Sequence, residues 1–432
     1  MDSSRLRDLP SVDRLATSVA KAVLQERRAE LLGGARDDAD LVARAAARLR
    51  PSLRRVVNAT GVIVHTNLGR APWPAAASDA AGAIAGSYVL LELDRQTGRR
   101  GPRARIAEDH LVALTGAEDA LVTNNNAAAL ALAVGLAGRS GVVVSRGELV
   151  EIGGGVRIPD IVRRAGARLI EVGTTNRTRA VDFEAPLASE RARAVLRVHP
   201  SNFTMSGFVE SPDPFDVAEL AHRYGAIVID DLGSGALLDT TAYGLTHEPL
   251  PSERLAAGSD IVTFSGDKLV GGPQAGLIVG RADLIARMRR DPLARAMRPD
   301  KVTMAGVALT LGLYRAGRAT TDIPVWRMIA APLDGLRVRA EALRARLGET
   351  ADVIEVRSTV GGGSLPGETL PSVAVAIRAR SADRVAAALR HAEPPVIGRI
   401  EDGRVILDLR TVDPAQDGDL SVSVDRALAA VR

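Results

Sequence analysis

Residues 261–276 read Ile261-Val262-Thr263-Phe264-Ser265-Gly266-Asp267-Lys268-Leu269-Val270-Gly271-Gly272-Pro273-Gln274-Ala275-Gly276. A β-branched and aromatic run ends at Ser265, and a glycine-rich loop follows that carries one lysine. A lysine at a strand end, with glycines closing behind it, can reach a planar cofactor. Once desolvated it loses its proton and becomes an amine able to form a Schiff base. The chain has only two other lysines, Lys21 and Lys301, so any chemistry that needs this amine has few alternatives.

Outward from this stretch, short β-rich runs alternate with Ala- and Leu-rich segments of helix length. The runs are Ala120–Thr123, Gly141–Ser145, Arg168–Val172, Ala194–His199, Ala226–Asp230, Ile261–Ser265 and Gly276–Val279. Such alternation predicts an α/β fold, a mostly parallel sheet with helices on both faces. Ligands of these sheets bind beyond the carboxyl ends of the strands. Three parts are expected. Residues 1–50 form a helical unit, with an apolar stripe of Leu6, Leu9, Val12, Leu15, Val19 and Val23 and a second helix opened by Asp37, Asp38 and Asp40. Residues 51–315 form the large α/β domain. Residues 316–432 form a small α+β domain with a helix around Arg337–Leu347. In it, Val396–Ile400 and Arg404–Arg410 flank Glu401-Asp402-Gly403 as a hairpin.

Three more strand ends bear on chemistry. Asn124, Asn125 and Asn126 precede an Ala-rich helix, whose free N–H groups and dipole suit a phosphate. Asp231 follows Ile227–Asp230 at a depth where a carboxylate can keep a pyridine nitrogen protonated. Asp230 and Asp231 must face opposite ways, because successive strand residues do. Asn202 lies 29 positions before Asp231, which lies 37 before Lys268.

Composition narrows the classes. The 432 residues are 46% hydrophobic, 25% charged and 3% aromatic, with a net charge of +4; the mean hydropathy is +0.05. This is a globular balance, poor in the stacked aromatic platforms of many RNA-binding surfaces. No cysteine is present, which excludes disulfides, Cys-ligated zinc and thiolate nucleophiles. His65, His110, His199, His222, His247 and His391 show no metal-ligand spacing, so no metal is expected. The N-terminus lacks an apolar signal core and no run reaches the ~20 residues of a membrane span; the expectation is a soluble, cytoplasmic protein.

The ordered Asn202–Asp231–Lys268 series resembles fold-type-I pyridoxal-phosphate enzymes, the aminotransferase-like group. Longer motifs narrow it: Asn58-Ala59-Thr60-Gly61, His65-Thr66-Asn67-Leu68-Gly69-Arg70, Ser145-Arg146-Gly147-Glu148, Val172-Gly173-Thr174-Thr175-Asn176-Arg177-Thr178 and Val396-Ile397-Gly398-Arg399-Ile400. With the Lys268 loop they resemble the bacterial L-seryl-tRNA(Sec) selenium transferases from about residue 51 onward. The resemblance implies pyridoxal 5'-phosphate as cofactor, bound by Lys268, Asn124, Asn125, Asn126, Asn202, Asp231 and Ser265. Lys268 is then the Schiff-base and acid–base group, with Asp267 its catalytic neighbour. The implied reaction is β-elimination of water from seryl-tRNA(Sec), then selenium addition from selenophosphate to an aminoacrylyl-tRNA. Arg70, Arg103, Arg295 and Arg298 are implied to hold the anionic selenium donor, a task suited to bidentate guanidinium groups. The resemblance also implies a homo-oligomer, a dimer-based ring such as a decamer, and an N-terminal unit that grips tRNA. That unit is shorter here than in the best-known members.

Two rivals make distinct demands. An ammonia-lyase of the same fold, acting on a small free amino or sugar acid, needs an arginine for the α-carboxylate, and Arg410 or Arg399 could serve; an aminoacyl ester has no such carboxylate. A catalytically dead RNA-binding protein would have lost the Lys268 loop.

Overall fold

A computed structural model describes residues 12–33, 40–49, 53–101, 103, 105–189 and 191–431. Leu6, Leu9, Asp37, Asp38 and the Arg50-Pro51 boundary lie outside them. The chain divides into two compact units, Met1–Val56 and Val57–Arg432.

In the first unit the described residues form helices Val12–Leu32 and Leu41–Leu49. Glu30 joins them, accepting from Arg27 at 3.1 Å and Arg44 at 2.6 Å. These two guanidinium groups hold its carboxyl below the usual carboxylate range. Arg48 pairs with Glu26, so three arginines of this unit already have acidic partners.

The second unit is built on a seven-stranded sheet. Its strands, numbered here in chain order, are β1 (Asp119–Thr123), β2 (Gly141–Ser145), β3 (Arg168–Val172), β4 (Ala192–Val198), β5 (Ile227–Gly233), β6 (Ile261–Ser265) and β7 (Gly276–Gly280). Their spatial order is β1-β7-β6-β5-β4-β2-β3. Only β7 runs antiparallel to its neighbours; the remaining pairs are parallel. Each expected run is a strand, and β2, β3 and β6 match residue for residue. β2 and β6 are legible because they are buried along their whole length, as parallel strands covered on both faces must be. β5 outruns the expectation by three residues. Asp231 pairs with both Val198 and Thr263, so neighbouring strands carry the polar Asp230-Asp231 step into the sheet.

Alternate residues feed cores on the two faces of the sheet. Val122, Val262, Phe264 and Leu277 pack on one face. Leu121, Val144, Leu196, Ile229 and Ile278 pack on the other, against Leu130 and Ala133 of helix Asn126–Gly135 and Leu284 of helix Ala282–Arg290. Full burial of each large apolar side chain contributes about 1.5–3 kcal/mol.

The C-terminal strands form a five-stranded sheet in the order Arg399–Glu401, Arg404–Asp408, Thr369–Ile377, Ala351–Gly361 and Val62–Val64. Helices Leu333–Leu347, Ala382–His391 and Asp417–Val431 supply its core. The hairpin turns at Asp402-Gly403, both with positive φ (48° and 70°), the geometry that matches strand twist. The last strand corrects a boundary. Val62–Val64 pairs with Thr359 and Gly361, and Val57–Asn58 pairs with Val396–Ile397. Residues 57–64, grouped by sequence with the large domain, therefore complete the C-terminal architecture. The Asn58–Gly61 motif serves this closure. Gly61 has φ 79°, and a Cβ there would sit 2.4 Å from the Asp408 carboxylate, which accepts from Ser358, Ser372 and Arg399.

Candidate active site

A cavity of about 660 Å³ opens at the carboxyl ends of β4, β5 and β6. Its wall includes Arg70, Asn125, Asn126, His199, Asn202, Asp231, Ser265, Asp267 and Lys268. Lys268 is half-buried near the start of the loop after β6, and its Nζ donates to Gly363 O at 3.3 Å. Gly363 has φ 76°, a conformation that favours glycine, and a Cβ there would lie 2.5 Å from Nζ, so glycine eases the meeting of this loop with the amine. Burial, then the neighbouring Arg70 charge, lower the Lys268 pKa, against the pull of Asp231, Asp267 and Glu248. A larger fraction of free amine follows at neutral pH.

Asp231 is 4% exposed. Its Oδ1 accepts from Asn126 Nδ2 and Thr263 Oγ1, both at 2.8 Å. Burial raises its pKa, while these two donors and Lys268 oppose the rise. Asp230 faces the other way, as strand alternation requires. It sits with Ser259 at 3.5 Å and Arg254 at 3.7 Å, beside a smaller cavity of about 180 Å³ that also touches Glu148, Arg197 and His199.

The remaining expected residues divide sharply. Asn202 reaches the cavity, with its amide donating to Glu151 O at 2.7 Å. Asn125 caps the following helix by accepting from Ala128 N at 2.9 Å. Asn126 turns to Asp231 instead of toward a phosphate, and its Oδ1 is buried without a partner. Asn124 is exposed and off the wall. Arg70, at φ 64°, donates to Asp267 Oδ2 at 2.8 Å. Arg103 and Arg298 instead gather around Glu92, and Arg103 also donates to Pro299 O at 2.6 Å. Arg295 is exposed on helix Pro292–Ala296. None of these three lines the cavity. Of the histidines singled out, His199 lies on the wall with Nε2 3.2 Å from Glu248. Nδ1 of His65 is buried without a partner. No metal-binding cluster occurs among the described residues.

Sequence reasoning missed Thr263, Gly363 and Glu148. Thr263 had a signal, since it lies one pleat from Ser265 and pairs with Asp231. Gly363 had none, being 95 residues from the lysine it meets.

A phosphorylated pyridine aldehyde fits these walls. There is an amine, a buried carboxylate with one oxygen bound by neutral donors, an orphaned amide oxygen at Asn126, and a helix N-terminus. Fold and cavity together define an aminotransferase-like α/β enzyme. The fold is shared with D-glucosaminate-6-phosphate ammonia-lyase at a TM-score of 0.62 and 22% identity, over 88% of this chain and 97% of that one. Residues 56–413 match the L-seryl-tRNA selenium transferase family. The L-seryl-tRNA(Sec) selenium transferase of Carboxydothermus hydrogenoformans is 49% identical over 84% of this chain and 79% of its own length. That of Moorella thermoacetica is 44% identical over 98% and 94%. The chain belongs to the L-seryl-tRNA selenium transferase family.

Proposed function

We propose that this enzyme converts seryl-tRNA(Sec) to selenocysteinyl-tRNA(Sec), with selenophosphate as selenium donor and pyridoxal phosphate as cofactor. The family membership supports the reaction. The observation that carries the chemistry is the Lys268 amine, kept below its ordinary pKa, in one cavity with buried Asp231. Lys268, Asn202, Asp231, Ser265 and the N-terminus of helix Asn126–Gly135 would hold the cofactor. When bound, it supplies an electron sink for charge developing at the serine α-carbon. Lys268 moves the α-proton. Asp231 keeps a ring nitrogen protonated, and Asn126 and Thr263 orient its carboxylate. Arg70 carries the donor's oxyanion in this reading, because Arg103, Arg295 and Arg298 stand off the wall. Asp267 accepts from Arg70 and so holds that guanidinium at the cavity.

The reading also makes residues 1–50 the tRNA-binding unit, 51–315 apart from the 57–64 segment the cofactor domain, and 316–432 completed by 57–64 the small domain, in a cytoplasmic homo-oligomer. Exposed Tyr88, Val89, Leu90 and Leu93 form an apolar segment suited to contact between copies. No described helix is long and apolar enough to cross a membrane. Incubation with seryl-tRNA(Sec) and selenophosphate, followed by identification of the amino acid on the tRNA, tests the reaction. Selenocysteine is expected; unchanged serine overturns the reading.

The free-acid lyase loses its clamps. Arg410 spends its guanidinium on the carbonyls of Met328, Ile329, Ala331 and Pro371. Arg399 is bound to Asp408, Glu401 and Thr60 O. Neither lines the cavity, which suits an esterified substrate.

A further inference from the structure

Glu148, in the Ser145–Glu148 motif, takes part in no step above, yet its carboxylate closes a gap in the sheet. β2 pairs with β4 only as far as Val144 and Leu196. There the β2 chain leaves through the turn Arg146–Glu148, while β4 continues through Arg197 and Val198. Glu148 Oε2 accepts from Val198 N at 3.1 Å, in place of the departed strand. Its Oε1 accepts from Arg197 Nε at 2.9 Å. Three residues on, Glu151 O accepts from Asn202 Nδ2 at 2.7 Å. Segments 148–151 and 197–202 are thus fastened at three points. Both reach the large cavity, through Val150 on one side and Val198 and Asn202 on the other. Arg197 is 8% exposed and Val198 3%. An unpaired N–H or guanidinium at that depth is costly, so the carboxylate is held in place by the groups it satisfies. Burial pushes the Glu148 carboxyl up against the counter-pull of Arg197 and Val198 N.

We propose that Glu148 is a positioning residue that sets the Asn202 amide in the cofactor cavity by locking the turn after β4 to the segment after β2. One Nδ2 proton of Asn202 goes to Glu151 O, so the second is the one that Asn202 would offer to the cofactor. The inference rests on the reading of the Lys268 cavity as a pyridoxal-phosphate site.

The test is Glu148→Gln in the full chain, with pyridoxal phosphate as probe. The amide has one acceptor oxygen and sets an NH₂ against either Arg197 Nε or Val198 N. Pyridoxal-phosphate affinity should fall about tenfold, which corresponds to roughly 1.4 kcal/mol, and the bound cofactor's absorbance should change its pH midpoint. Amide exchange should quicken in 146–154 and 197–204 while β5 and β6 keep their protection. An unchanged affinity and midpoint overturn the proposal, and so does quickened exchange across all seven strands, the mark of a merely structural pair. If the Gln variant does not fold, Arg197→Lys decides: quickened exchange confined to 197–204 supports the lock, and its absence overturns it. A wild-type chain that fails to take pyridoxal phosphate onto Lys268 defeats the underlying reading instead.

Discussion

Asp230 and Asp231 are chain neighbours, 2% and 4% exposed, and burial raises the pKa of both. They differ in company. Asp230 looks to cations that belong to the fold, with Arg254 the largest counter-pull and then Arg197. Asp231 has neutral donors, Asn126 and Thr263, on one oxygen, and Lys268 nearby. A carboxylate already paired with internal guanidinium groups has little left for a ligand. One oriented by neutral donors can still take an external cation such as a protonated ring nitrogen. The same contrast separates the arginines: Arg70 borders the cavity on Asp267, whereas Arg103 and Arg298 are spent on Glu92.

The comparison breaks first at Lys268. Lys268→Ala should abolish both the visible absorbance acquired with pyridoxal phosphate and all selenocysteine formation; retained turnover would detach the Asp231 side from chemistry. Next, Asp231→Asn should lower kcat/KM by roughly three orders of magnitude, about 4 kcal/mol. Asp230→Asn should cost about 1–3 kcal/mol of folding stability in denaturant titration and leave kcat/KM near wild type. Equal kinetic losses in the two variants would erase the distinction.

A smaller effect reads the charge around the amine. Capture of pyridoxal phosphate by the cofactor-free protein needs the neutral amine, so its rate should rise with pH to a midpoint below the ordinary lysine value of about 10.4. Arg70→Met removes a charge that lowers this pKa, so the midpoint should move to higher pH in stopped-flow traces. Smallest of all, Thr263→Val deletes one donor to Asp231. A single hydrogen bond is worth about 1 kcal/mol, a loss of roughly fivefold in cofactor affinity.

Lys268, Asp231 and Asn202 were legible because strand ends show in sequence as β-branched runs that stop at glycine or polar turns. The alternation that parts Asp230 from Asp231 was legible for the same reason. Asn124, Asn125 and Asn126 read as one phosphate cradle, yet the chain uses them three ways: exposed, capping and bound to Asp231. Three adjacent amides carry no mark of which way each will turn. The Gly363 carbonyl and the Glu148 lock arise where distant segments meet, and no local pattern announces such a meeting. The short strand 62–64 was misplaced for that reason too, its partner lying far downstream.

That strand has a consequence for biosynthesis. Val62 leaves the ribosome first, and Thr359, which completes its ladder, follows roughly 300 residues later; at ~5–20 residues per second the wait is about 15–60 s. Val57 must wait longer still, for Val396. Through that interval an apolar, edge-competent segment stays unpaired beside a nascent chain, so the growing polypeptide is open to chaperone capture until residues 396–397 have been made.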